Sequence, residues 1–523
     1  MAAAYLEAAL RNNGQRLVEI ALIEPPGPPR VDRSEATMPS IRQFLAIIGI
    51  DEIDFLKRVD GTFRQGTRQV NWLRGTGDFY YHPFDDSRAQ PIDRAALQWL
   101  MSDRSIAFAE TTSPQPIICD LGLAPRPLGD QSAGVPLKYA YHLDALKFAD
   151  LLCEVATSRG VRRHLDHVTE IEMADNGDIA AVLTKAGRRL EADLFIDCTG
   201  FEALLIDKQL GVDRVDCSRW LLCDREIKMS IDYEHHYSGR VRPYTTATAL
   251  SAGWIGEIPL QTRRTLGYVH CSRYIDEEDA RRELRAFEGR HASSLDTHTI
   301  DFSAGYRAKP WARNCVSIGD SGIFVEPLES MGLYLTQLAT SMLVEHFPFG
   351  NDTRPLAYRF NRIMTNRFYE ILDFINLHYC LTKRIDTEFW REVRKPERIN
   401  DRLRAKLEFW KSKIPSKSDF VDQHFPGQPE MPLQTADLPG DHRSPVDTGA
   451  VFGLESYEAV LYGMQFLADE CDDWFGTKRP RTRVPDYIID DLKRAPGTLP
   501  PHEAWLKAAA GMPDHPVTPG ARP

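Results

Sequence analysis

Several short stretches of this sequence bring together side chains that could do chemistry. Residues 326–335 read Glu326-Pro327-Leu328-Glu329-Ser330-Met331-Gly332-Leu333-Tyr334-Leu335. Leu335, Leu338 and Met342 continue the run at helical spacing, so Glu329 or Ser330 is placed to open an apolar helix. An acid is favoured there by unpaired amides and the helix dipole, and those amides can also hold an anion. Nearer the start, the apolar run Leu17 to Ile23 ends at Glu24. An acid closing the second strand of a dinucleotide-binding βαβ unit accepts hydrogen bonds from a ribose hydroxyl. Two more apolar runs end in turn residues: Ala192 to Cys198 before Thr199-Gly200, and Cys315 to Ile318 before Gly319-Asp320. Buried parallel strands deliver loops to a cofactor in this way.

The elements that must position these residues can be read around them. Ala2 to Leu10 is rich in helix formers, Asn12-Asn13-Gly14 breaks it, and the β-branched run to Glu24 follows. Residues 142–157 carry apolar positions at the spacing of a crossover helix. Beyond Pro348 the texture changes to helical segments rich in aromatics, among them Tyr358, Phe368, Trp390 and Trp410. Ile414 to Asp447 reads as a long loop, and the proline-rich end from Thr477 as a surface-wrapping or frayed tail. The expected division is a core lobe over residues 1–347, a mainly helical lobe over 348–476 and a tail over 477–523.

At 523 residues the chain has length for two or three such lobes, and 42% hydrophobic with 27% charged residues excludes disordered, collagenous and coiled-coil classes. The formal net charge is −11. Without a sustained basic stripe, that charge argues against nucleic acid or anionic lipid as partners. Nine cysteines form no CxxC and no metal clip with histidine, so no metal site is expected and a reducing cytoplasm is the default. No apolar run reaches the length of a membrane span, and the first residues read as helix rather than signal peptide.

Taken in order, these stretches resemble the flavin-dependent tryptophan halogenases. The run from Glu326 to Leu335, preceded by Gly319-Asp320-Ser321-Gly322, carries the resemblance furthest. Ser34-Glu35-Ala36-Thr37-Met38-Pro39 resembles the strap that this family lays beside the flavin ring. Residues 139–145, 193–201 and 386–390 agree as well, and Gly253-Trp254-Ile255-Gly256-Glu257-Ile258-Pro259 sits where the family has W-x-W-x-I-P. The likeness runs from Met1 to about Glu470.

The resemblance implies an α/β protein: an FAD-binding, doubly wound lobe of the flavin monooxygenase type with a mainly helical second lobe. It implies that reduced FAD (FADH2), supplied by a separate flavin reductase, reacts with oxygen, and that chloride or bromide is then oxidised to hypohalous acid. That oxidant passes through a tunnel to a small electron-rich aromatic substrate, an indole or tryptophan derivative. Separate chambers keep the oxidant from side reactions. By the same resemblance Glu329 is the base that takes the ring proton. Arg64 stands at the position of the family's lysine, Met331 and Gly332 offer halide-binding amides, and His82, Phe84 and Ser330 contact the substrate. Glu24, Glu35, Ala36, Thr37, Thr199, Gly200, Asp320 and Pro327 fall on cofactor-binding positions, and Trp254 on the gate between the chambers. A homodimer is left open.

The sequence also departs from the family. Arginine at position 64 keeps a positive charge but does not readily lose a proton, which disfavours a covalent haloamine. The alternative reading of Arg64 on its own is a surface charge on a helix. Asp32-Arg33-Ser34 replaces a glycine-rich approach to the flavin ring, and Gly256 replaces a tryptophan, which would open space near that ring. Residues 451–457 lack the family's Phe-Trp pair, so free tryptophan is not favoured over other indoles, phenols or carrier-bound aromatics. The glycine-rich strand-and-loop expected before the first helix is not found, and a start about 15 residues upstream would supply it, that being the usual strand-plus-loop length. Two other functions stay open: a flavin-dependent aromatic monooxygenase on the same fold, and a non-catalytic relic that binds a ligand or partner.

Overall fold

The computed structural model describes residues 1–27, 34–84, 95–129, 137–350, 352–420, 451–467, 494, 497 and 499–518. The fold is mixed α/β. Its largest sheet has seven strands in the order Thr297–Asp301, Arg225–Asp232, Arg263–His270, Gly253–Pro259, Thr245–Ala249, Gly66–Val70 and Phe79–Pro83. Neighbours are antiparallel except Thr245–Ala249 beside Gly66–Val70, which run parallel.

Side chains alternate across this sheet with period two. Ile227, Met229, Ile231, Ile255, Leu266 and Tyr268 form one apolar face, packed on Ala280 and Leu284 of the helix Glu277–Glu288. The opposite face carries Lys228, Thr265, Gly267, Trp254, Gly256, Ala247 and Thr67, which line a cavity. The sheet thus separates a packing face from a working face.

The runs read as buried parallel strands do pair in parallel, in two separate pairs. Ala21–Glu24 lies beside Arg162–Leu165, and Phe195–Asp197 beside Cys315–Ser317. No described strand bonds to both pairs, so the doubly wound arrangement is seen as two half-ladders rather than one sheet. The crossover helix is shorter at its front than its spacing predicts. Ala140–Asp144 is strand, and the helix runs Ala145–Ser158 because the Asp144 carboxylate accepts from the amides of Leu146 and Lys147 and fixes the start.

The helical segments that follow do not stand apart. Phe360, Phe374 and Leu377 of the 27-residue helix Arg354–Cys380 share one core cluster with Trp72, Trp254 and Leu335. Each such side chain, fully buried, contributes roughly 1.5–3 kcal/mol. The tail region differs from a frayed end where it is described. His502–Ala510 is a helix whose Trp505 meets Phe63 at 4.6 Å between ring centroids, and His502 Nε2 accepts from the Phe63 amide. The loop over 421–447, Asp32-Arg33 and most of the tail lie outside the described residues.

Candidate active site

Glu329 is held by a strained turn. It and Ser330 have φ of 59° and 64°, in the left-handed region that costs a non-glycine residue about 1–3 kcal/mol. The helix Met331–Glu345 starts immediately after them, with no described side chain capping its first amides. This places the Glu329 side chain, 2% exposed, under the hairpin formed by Gly66–Val70 and Phe79–Pro83.

Four side chains converge on the carboxylate. Gln69 Nε2 donates to Oε1 at 2.8 Å and Thr67 Oγ1 donates to Oε2 at 3.2 Å. His82 Nδ1 lies 3.0 Å from Oε2, and His378 Nε2 lies 3.3 Å from Oε1. Thr67 and Gln69 share a face because they are two apart on one strand, and His82 is opposite Thr67 in register. Burial pushes the Glu329 carboxyl up, but the two imidazoles outweigh it and hold the group well below the usual carboxylate range. The group at rest is a carboxylate.

Arg64 is on the strand Thr62–Arg64 and is fully buried, which overturns the alternative of a surface charge on a helix. Its Nε donates to Thr245 Oγ1 at 3.0 Å, Nη1 to the Thr37 carbonyl at 2.7 Å and Nη2 to Thr67 Oγ1 at 2.8 Å. The guanidinium stands 4.7 Å over the Phe84 ring. Burial lowers it to about 10, against the pull of Glu329, so it stays a cation at neutral pH.

A cavity of about 40 Å³ runs past these groups, lined by Ser34, Thr67, Trp254, Gly256, Pro327, Glu329 and Ser330 among others. The Trp254 indole N–H donates to Glu326 Oε1 at 3.2 Å, and the Tyr379 hydroxyl donates to the same oxygen at 2.6 Å. Glu326 Oε2 is buried without a partner among the described residues, and burial raises this carboxyl to about 7. Gly256 opens less room than its sequence implies: a Cβ there would meet the Trp254 ring at 3.1 Å, so that ring already lies across the position.

The residues assigned to the cofactor fall into two groups. Ala36 and Thr37 are buried, and Glu35 half-buried, beside the strand Ala140–Asp144; Thr37 Oγ1 donates to the Tyr141 carbonyl. Thr199 Oγ1 donates to Asp197 Oδ1 at 2.7 Å, which folds the turn that presents Gly200 at φ 67° with open space beside it. Asp320 sits in the turn Gly319–Ser321, and Pro327 in the cavity wall. Glu24 closes its strand half-buried, in an ion pair with Arg163. Open space also lies beside Gly332, at the uncapped amides of the helix start.

Sequence reasoning did not single out Thr67, Gln69, His378, Glu326, Phe374 or Phe452. Thr67 and Gln69 follow Arg64 closely in the chain, but strand alternation from Arg64 could not reach them because a break separates the two strands. Phe452, in the segment that lacks the family's aromatic pair, stacks on Phe374 at 3.8 Å and stands 6.1 Å from the His82 ring.

Comparisons with known proteins place the fold and the family. The crystal structure of a tryptophan halogenase from Shewanella frigidimarina NCIMB 400 superposes with TM-score 0.83 at 30% identity, covering 98% of this chain and 95% of that one. Xcc4156, a flavin-dependent halogenase from Xanthomonas campestris, gives 0.79 at 28% identity, covering 99% of this chain and 97% of that one. The fold is therefore that of the flavin-dependent halogenases. In sequence, tryptophan 6-halogenase ThaL of Streptomyces albogriseolus is 32% identical over 442 residues, 81% of this chain and 82% of that protein. Residues 1–479 match the tryptophan halogenase family, and the chain belongs to that family of enzymes.

Proposed function

We propose that this protein uses reduced FAD, oxygen and chloride or bromide to halogenate an electron-rich aromatic compound of the indole class. The observation that carries this reading is the buried Glu329 carboxylate, ionised between two imidazoles and lining a cavity shared with Trp254 and Pro327. A neutral or solvent-facing acid could not serve as base to a ring cation.

The residues present fit FAD. Gly200 and Gly332 each have open space where a side chain would stand, and the strap from Ser34 to Thr37 is anchored on Ala140–Asp144. Glu35, Ala36, Thr37, Thr199, Gly200, Asp320 and Pro327 would hold it, with Glu24 at the ribose end. When bound in reduced form and supplied with oxygen and halide, it furnishes the electrophilic halogen.

The chain's own residues do the rest. The amides of Met331 and Gly332 offer the halide a helix start. Arg64, a cation fixed by Thr37, Thr67 and Thr245, orients the oxidant by charge and hydrogen bonding. His82 and Phe84 flank the aromatic ring, Ser330 borders it, and Glu329 removes the proton from the carbon that has taken the halogen. Trp254, tethered to Glu326, screens the substrate from the flavin side. A separate flavin reductase supplies the electrons.

The test is direct. Purified protein is given indole, bromide and FAD kept reduced by a flavin reductase, and the products are weighed by mass spectrometry. A bromine isotope doublet is the expected result. Gain of one oxygen without bromine would assign a monooxygenase instead, and failure to take up FAD would leave the relic reading.

A further inference from the structure

His378 is buried on the helix Arg354–Cys380, and no step of the mechanism above is assigned to it. Its Nδ1 lies 2.9 Å from the carbonyl oxygen of Phe374, one helical turn earlier. A carbonyl oxygen only accepts, so Nδ1 must carry a hydrogen. In a neutral imidazole the other nitrogen is then a bare lone pair. That nitrogen, Nε2, is buried and faces Glu329 Oε1 at 3.3 Å, a close contact short of hydrogen-bond geometry, and among the described residues it bonds to nothing else. Two buried acceptors facing each other at this separation repel, so a proton has to sit between them.

The surroundings decide which group owns it. Glu329 already receives Gln69 and Thr67 as donors, and the Arg64 cation stands one hydroxyl away. All of these favour the ionised carboxylate. The other titratable groups facing the pair are His82 on Oε2 and Tyr80, whose ring is 6.5 Å from that of His378. Tyr80 cannot supply the positive charge.

We infer that His378 is a positioning residue for Glu329: a doubly protonated imidazole, locked by the Phe374 carbonyl, that keeps the facing carboxylate ionised and aimed. The proton transferred in the reaction still moves from the ring carbon to Glu329, with the C–H electron pair returning to the ring, and then to water as product leaves. His378 keeps its own proton throughout. The catalytic part of this inference rests on the function proposed above; the protonation state does not.

Neutron diffraction from deuterium-exchanged crystals at neutral pH tests the state itself. Deuterium on both nitrogens of His378 and none on Glu329 is expected; a single deuterium on His378, or one on Glu329, overturns the inference. Kinetics test its use. His378→Gln places a neutral N–H where Nε2 stands, and His378→Asn keeps only the bond to Phe374. Both should lower kcat for indole bromination about tenfold or more at pH 7, with KM little changed. Full activity in His378→Gln would reduce the residue to a hydrogen-bond donor and sink the inference. Should the wild type form no brominated indole while the doubly deuterated imidazole is seen, the functional reading fails and the protonation state stands.

Discussion

Arg64 and Glu329 do not touch; both bond to the hydroxyl of Thr67, which accepts from Arg64 Nη2 at 2.8 Å and donates to Glu329 Oε2 at 3.2 Å. One small side chain thus sets the spacing between the cation and the carboxylate.

Replacing Thr67 with valine keeps the shape and removes that hydroxyl. Two buried charged groups each lose a partner, and about 1–3 kcal/mol of stability should go with them. Urea unfolding measures this, and kcat should fall with it. A variant as stable and active as the wild type would show that the bridge has no role.

Glu329→Gln keeps the volume and the acceptor for Gln69 but abolishes the base. Halogenation should drop by roughly 10²–10⁴, the usual span of general-base catalysis. FAD uptake, followed by flavin fluorescence, should be unchanged. Retained activity would remove Glu329 from the mechanism.

Glu326 gives a pH signature. Its carboxyl is raised to about 7 by burial, from a usual value of 4.5. The folded state therefore holds a proton that the unfolded state releases, and the group's contribution to stability falls as pH rises from about 4.5 through 7. Keeping this carboxylate buried and fully ionised costs up to about 3 kcal/mol, since a tenfold change in proton affinity is worth about 1.4 kcal/mol. Glu326→Gln should be more stable than the wild type at pH 8, with the gap closing toward pH 5. Parallel stability curves for the two proteins would contradict this.

Phe452 ties the segment over 451–467 to the site by stacking on Phe374. Phe452→Ala should destabilise the protein by about 3–5 kcal/mol, as expected for emptying a buried aromatic position. It should also raise the KM for indole, because the wall behind His82 is lost. An unchanged KM would place the substrate elsewhere.

The order and spacing of motifs were enough to recognise the family, the carboxylate at 329, the strand end at Glu24, the strand before Thr199-Gly200 and, to within two residues, the start of the helix that follows Ser330. These are local features: a turn, an apolar run or a capping acid is written in neighbouring residues. What surrounds Glu329 was not legible, because Thr67, Gln69, His82 and His378 come from a hairpin and a helix some 250 residues before and 50 after it. Only packing of the long helix against the sheet brings them to one carboxylate. The same holds for Arg64, whose burial depends on Thr37 and Thr245 from other strands, and for Trp254, which fills space that Gly256 alone suggests is empty. Residue types set which groups could act; the distances and the low-polarity surroundings that give those groups their charge states belong to the tertiary structure, since electrostatics depends on separation in space and not along the chain.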